Sequence, residues 1–395
     1  MSHTRTPEEH LAEVIRTLRE VCPRPVVNLP ALNAMGRTLA TAVAAPQDSP
    51  AFDNSQMDGY ALSAEQLSGG VFPVGPTIAA GADPSRLYPD AISTHLAPIM
   101  TGARIPAGTA AIVPVERCDP PEFVTDGNVR VPATDRGQFI RRVGSDLAKG
   151  AELFPAGHRV NARTVGAAAL LGVQDLPVLR PARVVICTGG EEIGGTGAAQ
   201  IPDANGPMLA ALCDRHHIEV AAHISTSDSP EALEAALISA ISEYRPDAII
   251  TSGGISHGKF EVVRQVLEPH GGWFGHVSQQ PGGPQGLATF RDTPVICLPG
   301  NPVSTAVSFR LFVAPTLGEA QPPFTTIAGE DVQGIAGREC FVRGGVENKE
   351  GTLRSRPIGG RGSHLLAQSA AATVLLRIPA DTLVREGESV ETYWL

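Results

Sequence analysis

Four carboxylates, Glu191, Glu192, Asp203 and Glu261, lie in or just beyond glycine-bearing loops that follow apolar runs. The most informative loop is Thr251-Ser252-Gly253-Gly254-Ile255-Ser256-His257-Gly258-Lys259-Phe260-Glu261, directly after Asp247-Ala248-Ile249-Ile250. A second, Thr188-Gly189-Gly190-Glu191-Glu192, follows Arg183-Val184-Val185-Ile186-Cys187. The third is Leu298-Pro299-Gly300-Asn301-Pro302-Val303-Ser304. Glycine lets a backbone approach a ligand closely. A helix starting after such a loop turns free N–H groups and its positive dipole end toward an anion. Asn301 is a good N-cap, and Pro302 suits the first helical position. Hard cations such as Mg²⁺ take one or two carboxylates together with ligand phosphates. The chemistry indicated is that of a metal-bridged phosphate ester. A solvated or capping side chain explains each acid taken singly; their grouping on adjacent loops favours a site.

These loops need a scaffold that brings them together. Residues 179–320 alternate apolar strands with helices, with strands expected at 183–187, 218–224, 247–251 and 294–298 and helices at 207–216, 230–244 and from 301. That alternation implies an open, mostly parallel α/β sheet, whose ligands bind beyond the carboxyl ends of the strands. Residues 1–45 read as helical, and 143–178 return to helix around Thr164–Leu171. The two together suggest one discontinuous helical domain, interrupted by a β-rich segment at 46–142 where Pro and Gly crowd short apolar runs. Short strands from 321 to 395 suggest a C-terminal β barrel.

Composition narrows the function. The net charge of −10 argues against nucleic acid and anionic membrane as main partners. No apolar run reaches the roughly 20 residues needed to span a bilayer. Six Cys without C-x-x-C pairing read as reduced thiols in a cytoplasmic protein. The scattered histidines, His216 and His217 included, lack zinc spacing, and Ser256 has no evident His partner for a serine hydrolase. No G-x-G-x-x-G follows a strand, which argues against a dinucleotide enzyme.

Seven segments occur in order: DNSQMDGYA (53–61), MTGARIPAG (100–108), CTGGEE (187–192), IPDANG (201–206), TSGGISHG (251–258), PGGP (281–284) and LPGNPVS (298–304), with GRGSHLL (360–366) later. Together they resemble the molybdopterin molybdenumtransferase family, known as MoeA in bacteria and as the E domain of gephyrin in animals. The resemblance implies a usually homodimeric protein. Its four subdomains would be 1–45 with 143–178, a lid at 46–142, a molybdopterin-binding α/β domain at 179–320 and a barrel at 321–395. It implies insertion of molybdate into adenylylated molybdopterin, supplied by an upstream molybdopterin adenylyltransferase, with Mg²⁺-dependent release of AMP.

The resemblance also assigns roles. Asp58 and Thr101 would act from the lid. Glu191, Asp203 and Glu261 would be catalytic and hold Mg²⁺. Lys259 stands where the family usually has an acid, and as the nearest cation in sequence it is a catalytic candidate of this chain's own. Thr188, Gly189, Asn205, Ser252, Gly253, Gly254, Ser256, Gly258, Pro299, Gly300, Asn301, Pro302, Ser304 and Ser363 would bind molybdopterin. One departure stands out. Where the family carries three lysines near P-G-K-P, this chain has His276, Gln280 and Gly283. Molybdate is a dianion, and the change removes formal charge of about +3 that no neighbouring Arg restores in sequence. The alternative is therefore a gephyrin-like scaffold that binds a cytoskeletal or receptor peptide with catalysis weakened or lost.

Overall fold

A computed structural model describes residues 4–189, 201–225, 229–255 and 261–395. The chain forms two compact units, one of Met1–Val27 with Leu179–Leu395 and one of Asn28–Val178.

The first unit begins with α1, Pro7–Val21. Thr6 and Glu9 cap it reciprocally, each side chain bonding the other's backbone N–H at 3.2 and 2.8 Å. Helix stops there because Pro23 and Pro25 follow, and Val26–Pro30 is extended. The helical reading of residues 1–45 thus holds only for this first segment. Prolines, which composition alone under-weighted, end it.

The α/β layer then runs β1 (Arg183–Thr188), α2 (Asn205–Arg215), β2 (Glu219–Ser225), α3 (Pro230–Tyr244), β3 (Ala248–Ser252), α4 (Val262–Leu267), β4 (Trp273–His276), β5 (Pro284–Phe290), β6 (Thr293–Leu298) and α5 (Pro302–Ser308). The helix starting at α5 continues through a π turn at Phe309–Val313 to Leu317. The sheet order is β2-β1-β3-β6-β5-β4. The first four strands are parallel, and β5 and β4 join antiparallel at one edge. Strand residues alternate between two cores. Val184, Ile186, Ile250 and Ile296 pack with Val14, Leu18 and Leu209, while Val185, Ile249 and Val295 pack with Leu233, Leu237 and Val266. Both faces are covered, which is why these strands read as unbroken apolar runs. Each such Val, Leu or Ile stabilises the layer by about 1.5–3 kcal/mol when fully buried.

Five strands, Phe324–Ala328, Glu339–Lys349, Thr352–Pro357, Val374–Ile378 and Ser389–Trp394, close a barrel around Val332, Val342, Leu376 and Val390. Gln279–Gln280 pairs with Glu339 and Cys340, so the segment after β4 is stitched to this barrel.

The second unit is mostly β. Gly59–Leu62 lies between Ala97–Ile99 and Ala111–Pro114, and Gly70–Pro73 pairs with Asn128–Val131. Of residues 143–178 only Ala162–Leu171 is helical, capped by Asn161 and ended by Gly172 in the left-handed conformation. Glu152–Phe154 and Asp175–Leu179 are strands. All six cysteines are free thiols. Among the described residues no helix is long and apolar enough to cross a membrane.

Candidate functional site

The register of the sheet places three strand ends level: Thr188 sits opposite Ser252, and Ser252 opposite Leu298. The loops that follow therefore emerge side by side. They open into a cavity of about 790 Å³ lined by Gly189, Asp203, Asn205, Ser252, Gly253, Gly254, Glu261, Pro299, Gly300, Asn301, Pro302, Ser304 and Ser363. Gly253 and Gly300 approach each other closely at its floor. Gly253 has φ +97°, a left-handed conformation, and a Cβ built on Gly300 would lie 3.3 Å from the Gly253 Cα.

Asp203 is held firmly. One of its carboxylate oxygens, Oδ1, accepts from the backbone N–H groups of Asn205 and Gly206, both at 2.9 Å, at the start of α2. The other accepts from the Thr188 hydroxyl at 2.8 Å. Asn205 donates its amide N–H to the Gly300 carbonyl at 2.7 Å, which ties the α2 start to the loop after β6, while its buried Oδ1 has no partner. Among the described residues that oxygen is a buried acceptor left unpaired at the cavity wall.

The α5 start differs from expectation. Asn301 occupies the N-cap position and Pro302 the first turn, but the Asn301 side chain makes no cap hydrogen bond. The Val303 N–H instead donates to the Ser363 carbonyl at 3.1 Å, so a barrel loop takes one of the amides the sequence suggested would be free. Ser252 is also engaged internally, its hydroxyl lying 3.2 Å from the Pro299 carbonyl and 3.1 Å from the Thr305 hydroxyl.

The cavity's other wall comes from the β4 end and the barrel. His276, Gln280 and Gly283, the three positions that lack lysine, all line it. So do Arg338, Arg361 and His364. Arg338 and Arg361 are exposed and form no ion pair within the described residues. No neighbouring Arg replaces the lysines, but two arginines from more than fifty positions downstream line the same cavity. Arg361 had a signal, since it lies in the GRGSHLL segment, but Arg338 had none. Buried Arg343 donates to the carbonyls of Gly360 and Gly362, which fixes the loop that carries Arg361 and Ser363.

The cysteine nearest the site is inert. Burial pushes the Cys187 thiol up to about 12, and Cys297 likewise, so neither offers a thiolate nucleophile. Among the described residues no three His, Cys, Asp or Glu side chains gather as a preformed metal cage. Asp203 and Glu261 instead present hard oxygen donors to an open cavity, a donor set suited to Mg²⁺ shared with ligand phosphates.

In the second unit, Asp58 and Thr101 pair with each other. Asp58 Oδ1 accepts from the Thr101 backbone N–H at 2.6 Å and from its hydroxyl at 2.8 Å, and these bonds hold its carboxyl below the usual range. Both residues are exposed. Glu191, Ser256, Gly258 and Lys259 lie outside the described residues.

Comparison with known proteins agrees along the whole chain. The model of the MoeA N-terminal region (domain I and II) matches residues 5–172, that of a probable molybdopterin binding domain 184–319, and that of the MoeA C-terminal region (domain IV) 325–395. Molybdopterin molybdenumtransferase 2 of Mycobacterium tuberculosis is 37% identical over 406 residues, covering 96% of each chain. The molybdopterin molybdenumtransferase of Haemophilus influenzae is 31% identical over 350 residues, covering 85% of each. Gephyrin of Dictyostelium discoideum is 28% identical over 363 residues, 80% of this chain and 50% of gephyrin. The solved molybdopterin biosynthesis MoeA protein of Pyrococcus horikoshii OT3 shares the fold, with a TM-score of 0.80 at 23% identity over 100% of both chains. The chain belongs to the molybdopterin molybdenumtransferase family.

Proposed function

We propose that this protein inserts molybdate into adenylylated molybdopterin with Mg²⁺-dependent release of AMP, as the last enzyme of molybdenum cofactor synthesis. The observation that carries this reading is one cavity with carboxylates on its sheet-edge wall and arginines on its barrel wall. Gly253 and Gly300 let a phosphate approach the backbone, and Asn205 Oδ1 accepts from a ligand N–H or O–H. Asp203 and Glu261, joined by Glu191, would hold Mg²⁺, which when bound neutralises phosphate oxygens of the adenylate. Arg338 and Arg361 offer donors to the oxygens of molybdate in place of the absent lysines. Asp58 and its partner Thr101 are assigned a catalytic role, as is Lys259, the cation two positions before Glu261 in sequence. The enzyme works in the cytoplasm as a homodimer, downstream of a molybdopterin adenylyltransferase.

The missing lysines were what favoured a scaffold without catalysis. Two arginines on the same cavity answer that observation. The deciding experiment is restoration of cofactor synthesis in a strain lacking its transferase, paired with molybdate-dependent AMP release by the purified protein. Absence of both, with restoration on changing His276, Gln280 and Gly283 together to Lys, would favour the scaffold.

A further inference from the structure

His223 lies on β2 beside Thr188, the last residue of β1 before Gly189 enters the cavity wall, and belongs to none of the recognised motifs. It projects from β2, opposite Ile186, and so lies diagonal to Thr188 on the same face of the sheet. Its Nε2 is 2.6 Å from the Thr188 hydroxyl, which is itself 2.8 Å from Asp203 Oδ2. A hydroxyl has one proton to give, and a carboxylate oxygen only accepts. The Thr188 proton therefore points to Asp203, and the His223 ring must carry its proton on Nε2. At 3.8 Å the imidazole is too far from Asp203 to bond it directly, so the hydroxyl is the necessary middle member.

Space for this arrangement comes from Gly206. A Cβ there would lie 2.4 Å from His223 Cε1 and 2.5 Å from Asp203 Oδ2. Thr188 is only 2% exposed, which rules it out as a nucleophile despite its His and Asp neighbours.

We propose that His223 and Thr188 are positioning residues, a donor chain that fixes the orientation of the Asp203 carboxylate so that its one remaining lone pair, on Oδ2, faces the cavity. This rests on the reading of Asp203 as a Mg²⁺ ligand. Partners behind a metal ligand typically contribute ten- to a hundredfold in metal affinity.

The test uses the full chain and two readouts. Imidazole ¹⁵N–¹H correlation spectra report the tautomer of His223, and Mn²⁺ titration followed by electron paramagnetic resonance, with AMP present, reports metal affinity. The wild type should show an Nε2-protonated ring with a hydrogen-bonded shift that Thr188→Val removes and Thr188→Ser keeps. Mn²⁺ affinity should fall about tenfold in Thr188→Val and His223→Phe. Thr188→Ser and His223→Gln should recover most of that loss. Circular dichroism identifies any variant that misfolds, and the conservative member of each pair then carries the comparison. An Nδ1-protonated ring, or unchanged Mn²⁺ affinity in both Thr188→Val and His223→Phe, overturns the donor chain alone. A wild type that binds no Mn²⁺ while the imidazole signals behave as expected overturns the metal role of Asp203, and with it this purpose for the chain.

Discussion

The two walls of the cavity are built in opposite ways. On the sheet-edge wall, Asp203 takes hydrogen bonds from two backbone amides and one hydroxyl, all rooted in β1 and the start of α2. On the barrel wall, Arg338 and Arg361 end in exposed guanidinium groups, and it is their backbone that is fastened, by a bridge between Ile335 and Arg338 and by Arg343 and Val303 at the Arg361 loop. The acid is therefore oriented before a ligand arrives, whereas the cations must lose rotamer freedom of up to about 2 kcal/mol each when they grip one. A rigid wall suits the demanding geometry of Mg²⁺. A long-armed wall suits an oxyanion that must be taken up and passed on.

This contrast predicts that damage to the acid wall is the more severe. Asp203→Ala should reduce Mg²⁺-dependent AMP release at least about 100-fold. Because the carboxylate also caps the first amides of α2, thermal stability should fall by about 1 kcal/mol as well. Loss of activity without the stability change would mean that the capping bonds are dispensable; near-normal AMP release would remove Asp203 from the metal site.

The cation wall should respond to a different variable. Arg338→Ala and Arg361→Ala should each reduce molybdate-dependent turnover about tenfold or more, since a hydrogen bond to a charged group contributes about 1.5–3 kcal/mol. Binding of molybdopterin, measured by calorimetry, should change far less. Equal losses in both measurements would show that the arginines hold the organic ligand and not the oxyanion.

The same contrast explains what could be read from the chain. Thr188, Ser252 and Leu298 each end an apolar strand, and each is followed within a few residues by glycine, so local pattern sufficed to find the acid wall. The strand predictions at 183–187 and 294–298 each fell within one residue of the observed bounds. Arg338 and Arg361 reach the cavity through barrel closure and the pairing of Gln279–Gln280 with Glu339 and Cys340, which no local periodicity encodes. Capping by Ser363 in place of Asn301 failed to show for the same reason, as the partner lies sixty residues away in sequence. His223 was missed because a single histidine in a strand carries no spacing signal.

The floor between the walls offers a smaller test. Gly300→Val would push a side chain against Gly253, 3.3 Å from its Cα at the first carbon alone. Molybdopterin binding should weaken roughly tenfold, about 1.4 kcal/mol. Gly253→Ala should instead act through its left-handed backbone, costing about 1–2 kcal/mol of folding stability. Wild-type affinity in both variants would move the ligand away from this floor.

The last test concerns what lies beneath the barrel wall and leaves the site chemistry untouched. His10 on α1 is fully buried between Trp273, on the strand that ends at His276, and Phe312, with ring centroids 5.2 and 4.7 Å away. Burial, helped by the neighbouring Arg5 guanidinium and opposed by Glu13, pushes its pKa down to about 3. The unfolded chain would protonate this histidine near its ordinary value of 6.5, while the folded chain resists until about pH 3. Its stabilising contribution is thus fully present above pH 6.5 and is lost as the pH falls toward 3, by up to roughly 1.4 kcal/mol per pH unit. His10→Phe, which keeps the ring packing, should flatten the acid side of the thermal-stability profile in that window. Glu8, whose carboxyl burial pushes up but its own backbone N–H and Arg377 pull below the usual range overall, should still make the variant acid-labile at lower pH. An unchanged slope between pH 6.5 and 4 in His10→Phe would show that the support under the His276 strand does not depend on a neutral histidine.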